Sequence, residues 1–394
     1  MGDVVHALPA VMDIKNHLPN AQVDWVVERA FAPLLEVSPV VDNVISCEIR
    51  RWRKTFWTSQ TRREVQAFKH QLQKKSYDAI IDLQGLSKSA FVSWLAKLNP
   101  NGRRFAIGNQ TDGSSYEFLT RWVADKPIEV QNRVHAVERS RIICSKALNF
   151  NYLDNSDENE SLNKVKSALT VVPSGTVLPK TIALIHASSR ADKTWPLTYW
   201  TKLGEALMSK GFNIALPQGS DFELEQARAI SNTLVGSKVW LKMSLDEVTA
   251  HLAACVGVIG VDSGLSHIAE ALDLPLVQIY NFETNWRTGP IRNDFQTSIY
   301  ANPTPSPEDV LAKWDLCWNL FAVRKDYVDS IAPSVSIDFG VKSSNSQFEV
   351  TAPLEAQDST QLNHQNISNP ILKETTERKK VNPTPPSPQL GLFD

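Results

Sequence analysis

Short apolar runs of strand length alternate with helical patterns through the second half of the sequence, and this constrains the fold more than any other feature. From about residue 180 the order is TIALIHASS, PLTYWTKLGEALMSKG, FNIALPQGS, DFELEQARAISNTL, SLDEVTAHLAAC, VGVIGVDSG, LSHIAEALD and LPLVQIYN. Strands without polar alternation must be covered on both faces, and intervening helices supply that cover. The expected product is a parallel, doubly wound α/β sheet. The first half repeats the theme more sparsely, with AQVDWVV and YDAIIDLQG as strands around the helical TRREVQAFKHQLQKK. A last helix is expected over SPEDVLAKWDLCWNLFAV.

The chain opens differently. In MGDVVHALPA the apolar residues Val4, Val5, Leu8, Val11 and Met12 fall on one helical face, with Asp3 as a candidate N-cap and no strand ahead of them. The acidic, then Pro- and Gly-punctuated LDNSDENESLNKVKSALTVVPSGTVLPK separates the halves. The expected organisation is a Rossmann-like domain over 1–165, a second over 166–330, and a Ser, Asn, Gln and Pro-rich tail over 331–394 that cannot bury a core. Ligands of such sheets sit beyond the carboxyl ends of the strands.

Bulk properties narrow the function. A net charge of −2 leaves no basic footprint for nucleic acid. The four cysteines, Cys47, Cys144, Cys255 and Cys317, form no Cys-x-x-Cys pair, so neither a disulfide framework nor a zinc site is expected. No run approaches the roughly 18 apolar residues of a membrane span, and no signal-peptide pattern opens the chain. These properties fit a soluble cytoplasmic protein without metal or cofactor.

Three strand-to-helix loops carry chemistry. In VIGVDSGLSHIAEAL a strand runs into Asp262, Ser263 and Gly264, and His267 follows on the first helical turn; free N–H groups and the helix dipole there suit a diphosphate. An N-cap with a packing histidine is an equally good reading. IHASSRADKTWP places Ser188, Ser189 and Lys193 after another strand, as phosphate ligands or as a solvated loop. LPQGSDFELEQ sets Glu223 at a helix start, where a carboxylate meets ribose hydroxyls or simply faces the dipole. Three such loops on successive strands converge on one edge. In the first half, IRRWRKTFW gathers Arg50, Arg51, Arg53 and Lys54 around two tryptophans, suited to anionic groups or a solvated face. His135 and Arg133 open a helical stretch in NRVHAVERSR, where a lone histidine is usually structural.

Taken in order, MGDVVHALPA, DWVVE, IRRWRK, YDAIIDLQGLSKSA, HAVERSR, HASSRADKTWP, KMSLDEV and VDSGLSHIAEAL resemble the lipopolysaccharide heptosyltransferase I family over about residues 1–325. The resemblance implies a GT-B fold, two Rossmann-like domains facing across a cleft. It implies inverting transfer of L-glycero-D-manno-heptose from ADP-heptose to Kdo of Kdo2-lipid A, at the cytoplasmic face of the inner membrane. By the family's pattern Asp3 is the catalytic base. Ser188, Ser189, Lys193, Glu223, Met243, Asp262, Ser263, Gly264 and His267 fall on donor-binding positions. Arg50, Arg51, Arg53, Lys54 and His135 fall on the acceptor side. The sequence departs from the family in having Ser for Thr at the hydroxyl pair and after Asp262, LPQG for LPWG, and YNFETNWRTGP for a YGxTDP-type loop. The family places an apolar strand and a Ser-rich turn ahead of Gly-Asp. The sequence starts at the Met within that turn, so a truncated start or an internal Met is expected, with two open inner sheet edges. Two alternatives stand beside this reading: another GT-B sugar transferase, and a docking role for the terminal QLGLFD, which resembles peptides that bind the bacterial sliding clamp.

Overall fold

The computed structural model describes residues 1–114, 116–151, 169, 178, 180–188, 190–291 and 294–331, with side chains through Val323. The expected disordered tail, its QLGLFD end, most of the interdomain stretch and Ser189 lie outside the described residues.

Helix α1 (Gly2–His17) opens the chain. It is followed by β1 (Asp24–Glu28), α2 (Ala32–Glu36), β2 (Asn43–Cys47), α3 (Ile49–Thr55), α4 (Ser59–Leu72), β3 (Tyr77–Asp82), α5 (Ser87–Leu95), β4 (Leu98–Ile107), α6 (Phe118–Val123), β5 (Lys126–Ile128) and α7 (Ala136–Leu148). The second half runs β6 (Thr181–Ile185), α8 (Leu197–Ser209), β7 (Asn213–Leu216), α9 (Asp221–Thr233), β8 (Lys238–Val239), α10 (Leu245–Ala253), β9 (Gly257–Val261), α11 (Gly264–Ala271), β10 (Leu276–Tyr280), α12 (Asn285–Thr288), β11 (Gln296–Tyr300) and α13 (Pro307–Ile331).

The second half forms a six-stranded sheet in the order β11-β10-β9-β6-β7-β8, and every described pairing in it is parallel. Strands β6, β9 and β10 are buried along their whole length, as their unbroken apolar sequences require. The chain leaves β6 toward β7 on one side and returns to β9 on the other. The switch point, where doubly wound sheets bind ligands, therefore lies between the carboxyl ends of β6 and β9.

The first half holds two smaller parallel sheets, β1-β2 and β3-β4-β5. β1 and β3 are not paired with each other. Their beginnings are tied where Lys75 Nζ and Tyr77 Oη donate to the Asp24 carboxylate at 2.8 and 3.0 Å, and Val26 and Ile80 belong to one apolar cluster.

α1 joins the halves. Its buried Val4, Val5, Leu8 and Val11 share one core with Val27, Leu34 and Leu35 of the first half and with Ile185, Val258 and Ile268 of the second. The helix packs on α7 and α11. Arg141 of α7 grips the buried Asp13 with two hydrogen bonds of 2.7 and 3.1 Å. Asp3 is not the N-cap: that position is Met1, without a side-chain cap, and Asp3 lies in the first turn. There its charge still favours the positive end of the helix dipole.

Candidate active site

The site is built at the switch point. β9 ends at Val261, Asp262 follows buried, and Ser263 is the N-cap of α11 without a side-chain cap. The first N–H groups of α11 are thus left for another partner. Ser266 is tied back to the strand, its Oγ donating to the Val261 carbonyl at 2.7 Å.

Asp262 is the hub. Lys193 Nζ, from the short 3-10 turn Ala191–Lys193, donates to Oδ2 at 2.7 Å, and His267 Nε2 lies 3.2 Å from Oδ1. Ser188 Oγ, beyond the end of β6, donates to the Asp262 backbone carbonyl at 3.3 Å. The residues expected in two separate loops are therefore brought together. Burial opposes a charge on Asp262, but His267 and Lys193 outweigh it and hold the carboxyl well below the usual range. Burial likewise opposes the imidazolium of His267, yet the carboxylates of Asp262 and of Glu270, the latter 3.9 Å from Nδ1, raise it to about 9. The cluster is a cation pair bridged by one carboxylate.

Beside it, His6 of α1 is fully buried, its ring centroid 4.3 Å from that of His267 and 5.9 Å from that of His135. Burial and the neighbouring His267, His135, Arg139 and Arg287 push it well below its ordinary value. Neither ring nitrogen of His6 has a hydrogen-bond partner. His6, His267 and Glu270 bring ligand-type atoms within 4.8 Å of one another.

The start of α1 closes the site. A Cβ on Gly2 would lie 3.0 Å from His267 Cδ2, and the Met1 side chain covers Gly264. Side chains in place of either hydrogen would push α1 off α11. Asp3, exposed in this turn, acts electrostatically on Lys88 of α5 and Arg139 of α7. Burial, and then Arg50, lower Lys88 below its ordinary value, and burial lowers Arg139.

The remaining expected residues fall as follows. Glu223 caps its own helix: Gly219 N donates to its Oε2 at 2.6 Å, and Ser220 Oγ accepts from its backbone N–H at 3.3 Å. Met243 is partly buried and packs on the shared core. Within α3, Arg50 lies near Lys88, while Arg53 and Lys54 are exposed. Arg51 is spent on Glu48 and Glu64. Of the two tryptophans there, Trp52 is buried and donates to Glu64 at 2.9 Å, whereas Trp57 is 77% exposed. His135 stands apart from this cluster. It is the N-cap of α7, accepts from Val137 N, and contacts the Gly289 carbonyl at 2.9 Å across the two halves.

Three participants were not singled out in the sequence: His6, Lys88 and Arg139. Lys88 carried a usable signal, since DLQGLSKSA has the same strand-turn-helix form as the donor loops. His6 and Arg139 reach the site only through tertiary packing.

A Rossmann-ordered sheet whose switch point gathers a lysine, an imidazolium, the buried carboxylate between them and a helix start without a side-chain cap has the form of a nucleotide-sugar transferase of the GT-B fold. The chain belongs to glycosyltransferase family 9, the heptosyltransferases, whose family model matches residues 65–313. It is 36% identical over 281 residues to lipopolysaccharide heptosyltransferase 1 of Escherichia coli K12, covering 71% of this chain and 84% of the relative. The lipopolysaccharide heptosyltransferase 1 of Pseudomonas aeruginosa is 34% identical over 280 residues, 71% of this chain and 76% of the relative. Among solved structures, E. coli heptosyltransferase WaaC with ADP aligns at a TM-score of 0.66 and 31% identity, over 84% of this chain and 97% of that one.

Proposed function

We propose that this heptosyltransferase moves L-glycero-D-manno-heptose from ADP-heptose to Kdo of Kdo2-lipid A with inversion, using Asp3 as base. The observation that carries the reading is the contact of the Asp3 turn with the start of α11, through Gly2 on His267 and Met1 on Gly264. That contact supports a carboxylate base working next to a dipole-and-cation anion site, as in-line displacement of a diphosphate demands. The kinship with lipopolysaccharide heptosyltransferase 1 supports the choice of donor and acceptor.

On this reading residues 1–165 bind the acceptor and 166–330 the donor. The ADP diphosphate lies over the N–H groups of Ser263 and Gly264, with Ser188, Ser189 and Lys193 on its oxygens. His267 and Asp262 face the heptose, while Glu223 and Met243 line the nucleoside. Lys193 is paired with Asp262 at 2.7 Å and only partly buried, so it can turn to the diphosphate oxygens of the leaving group. Asp3 takes the proton from the attacking Kdo hydroxyl, which requires approach to about 3 Å. Arg50, Arg53, Lys54 and Lys88 face the Kdo carboxylates and lipid phosphates. Arg51 holds α3 to α4 rather than contacting substrate, and His135 links the halves at Gly289 on the acceptor side. The enzyme works peripherally on the inner leaflet of the inner membrane.

The test is Asp3→Asn. Transfer is expected to fall about 100-fold or more in kcat while ADP-heptose still binds, as a lost general base requires. Near-normal turnover in that variant overturns the role of Asp3. Efficient turnover of a UDP-sugar in place of ADP-heptose assigns the chain to a different GT-B donor class.

A further inference from the structure

The aromatic residues left in solvent are not scattered. Trp57, Trp94 and Trp122 are the exposed tryptophans among the described residues, and two of them stand on neighbouring helices. α5 and α6 pack against each other, and their starts are joined where Ser87 N donates to Glu117 Oε2 at 2.7 Å. On α5, Lys88, Phe91 and Trp94 follow at steps of three and lie on one face, opposite the buried Ala90 and Ser93. Phe91 stacks on Trp94, yet Trp94 remains 62% exposed. On α6, Phe118 and Trp122 meet edge to face at 5.7 Å, with Trp122 76% exposed and Leu119 57%. Four large aromatic rings are thus paired with each other and open to water, at a cost the fold itself does not recover.

Charge singles out the occupant. Residues 87–126 carry six Lys or Arg against three Asp or Glu, a local excess of +3 in a chain of net charge −2. Two of the acids are occupied by backbone N–H groups: Glu117 by Ser87, and Asp125 by Arg104 at 2.8 Å. Arg121 is exposed on α6, and Arg53 of α3 reaches the field of Glu117. Tryptophans on a segment with a basic excess and an exposed Arg121 match the headgroup layer of an anionic leaflet, where the ring is buried and the N–H and cations stay wet.

We propose that the aromatic ridge of α5 and α6 is the surface by which this protein inserts into an anionic lipid leaflet. The proposal rests on the acceptor reading above and adds the insertion surface itself. Its geometry is coherent with that reading, because Lys88 begins the α5 stripe and lies in the field of Asp3. An amphiphile whose sugar reaches Asp3 therefore keeps its acyl chains in the bilayer that the ridge enters.

The experiment is co-sedimentation of the full chain with vesicles of phosphatidylethanolamine and phosphatidylglycerol, and with phosphatidylcholine vesicles, in the absence of either substrate. Binding is expected on the anionic vesicles, with a blue shift of tryptophan emission. Trp94→Ser/Trp122→Ser and, separately, Phe91→Ser/Phe118→Ser are each expected to lower partition roughly tenfold or more. Turnover of a water-soluble, deacylated acceptor is expected to be unchanged in both and serves as the folding control. Transfer to vesicle-embedded acceptor is expected to fall with partition. Unchanged partition in both variants, or no vesicle binding by the unaltered protein, overturns the proposal. So does a dimer that the substitutions split while partition stays the same. Vesicle binding without heptose transfer to either acceptor would instead fault the functional reading and leave this surface standing.

Discussion

Asp262 has a cation on each carboxylate oxygen, Lys193 on one and His267 on the other, and the two are not equivalent. Lys193 is partly exposed and can turn toward a ligand, whereas His267 is buried, with Asp262 3.2 Å from Nε2 and Glu270 3.9 Å from Nδ1. The sign of its pH dependence follows. A histidine raised from 6.5 to about 9 contributes stability in full below about pH 6.5 and loses it as pH rises through 9. Asp262, depressed below its ordinary 3.8, contributes above that pH and loses its share as pH falls through the folded value. Between these limits the pair is intact. Side-chain NMR of the histidines is expected to show His267 titrating near 9 and His6, facing His135, His267, Arg139 and Arg287, staying neutral well below 6.5. A midpoint for His267 near 6.5 would remove the charged pair from the account. This much of the site was half legible: VDSGLSH showed a strand, a turn and a helix start in one contiguous segment. The partner Lys193 lies 69 residues away, and no local pattern encodes that meeting.

At the scale of elements, α1 is where most of the consequences fall. It carries Asp3 at one end, His6 on the site face and Asp13 on the face toward α7. The side chains of Asp13 and Arg141 are only 11% and 12% exposed, so removing one partner leaves a poorly solvated charge. Asp13→Ala is expected to cost about 3 kcal/mol, read from the shift of the urea midpoint. A loss under about 0.5 kcal/mol would mean that the bond is no stronger than a surface pair. The strands show why sequence reading was uneven. β6, β9 and β10 announce themselves because every residue in them is buried. β4 does not: LNPNGRRFAI contains Pro, two Asn and Gly, none of them strand formers. Gly102 explains part of this, since a Cβ there would lie 2.5 Å from the Tyr77 carbonyl, where the β3–β4 register shifts. Contact with β3 selects glycine over a β-branched residue.

Over the whole of Met1–Ile331, one core crosses from the first half to the second through α1. The expectation of two Rossmann-like halves described the topology, but periodicity alone could not show which helix they share. Leu8, 1% exposed, sits in that common core. Leu8→Ala is expected to cost about 2–5 kcal/mol. It is also expected to speed hydrogen exchange together in β1 and in β6 and β9. Faster exchange confined to the first half would show that the halves unfold independently.

The division of the first half into two sheets has a further consequence for how the protein behaves in a test tube. β1 and β3 each offer a lateral row of backbone donors and acceptors that no strand of the described residues satisfies, and the charged tie at Asp24, Lys75 and Tyr77 guards only one end of each row. Such rows are templates for a neighbouring molecule's strand. In the described residues, side-chain packing of Val26 on Ile80 and of Ile81 on Ala10 and Ile14 of α1 takes the place of a ladder between the two sheets.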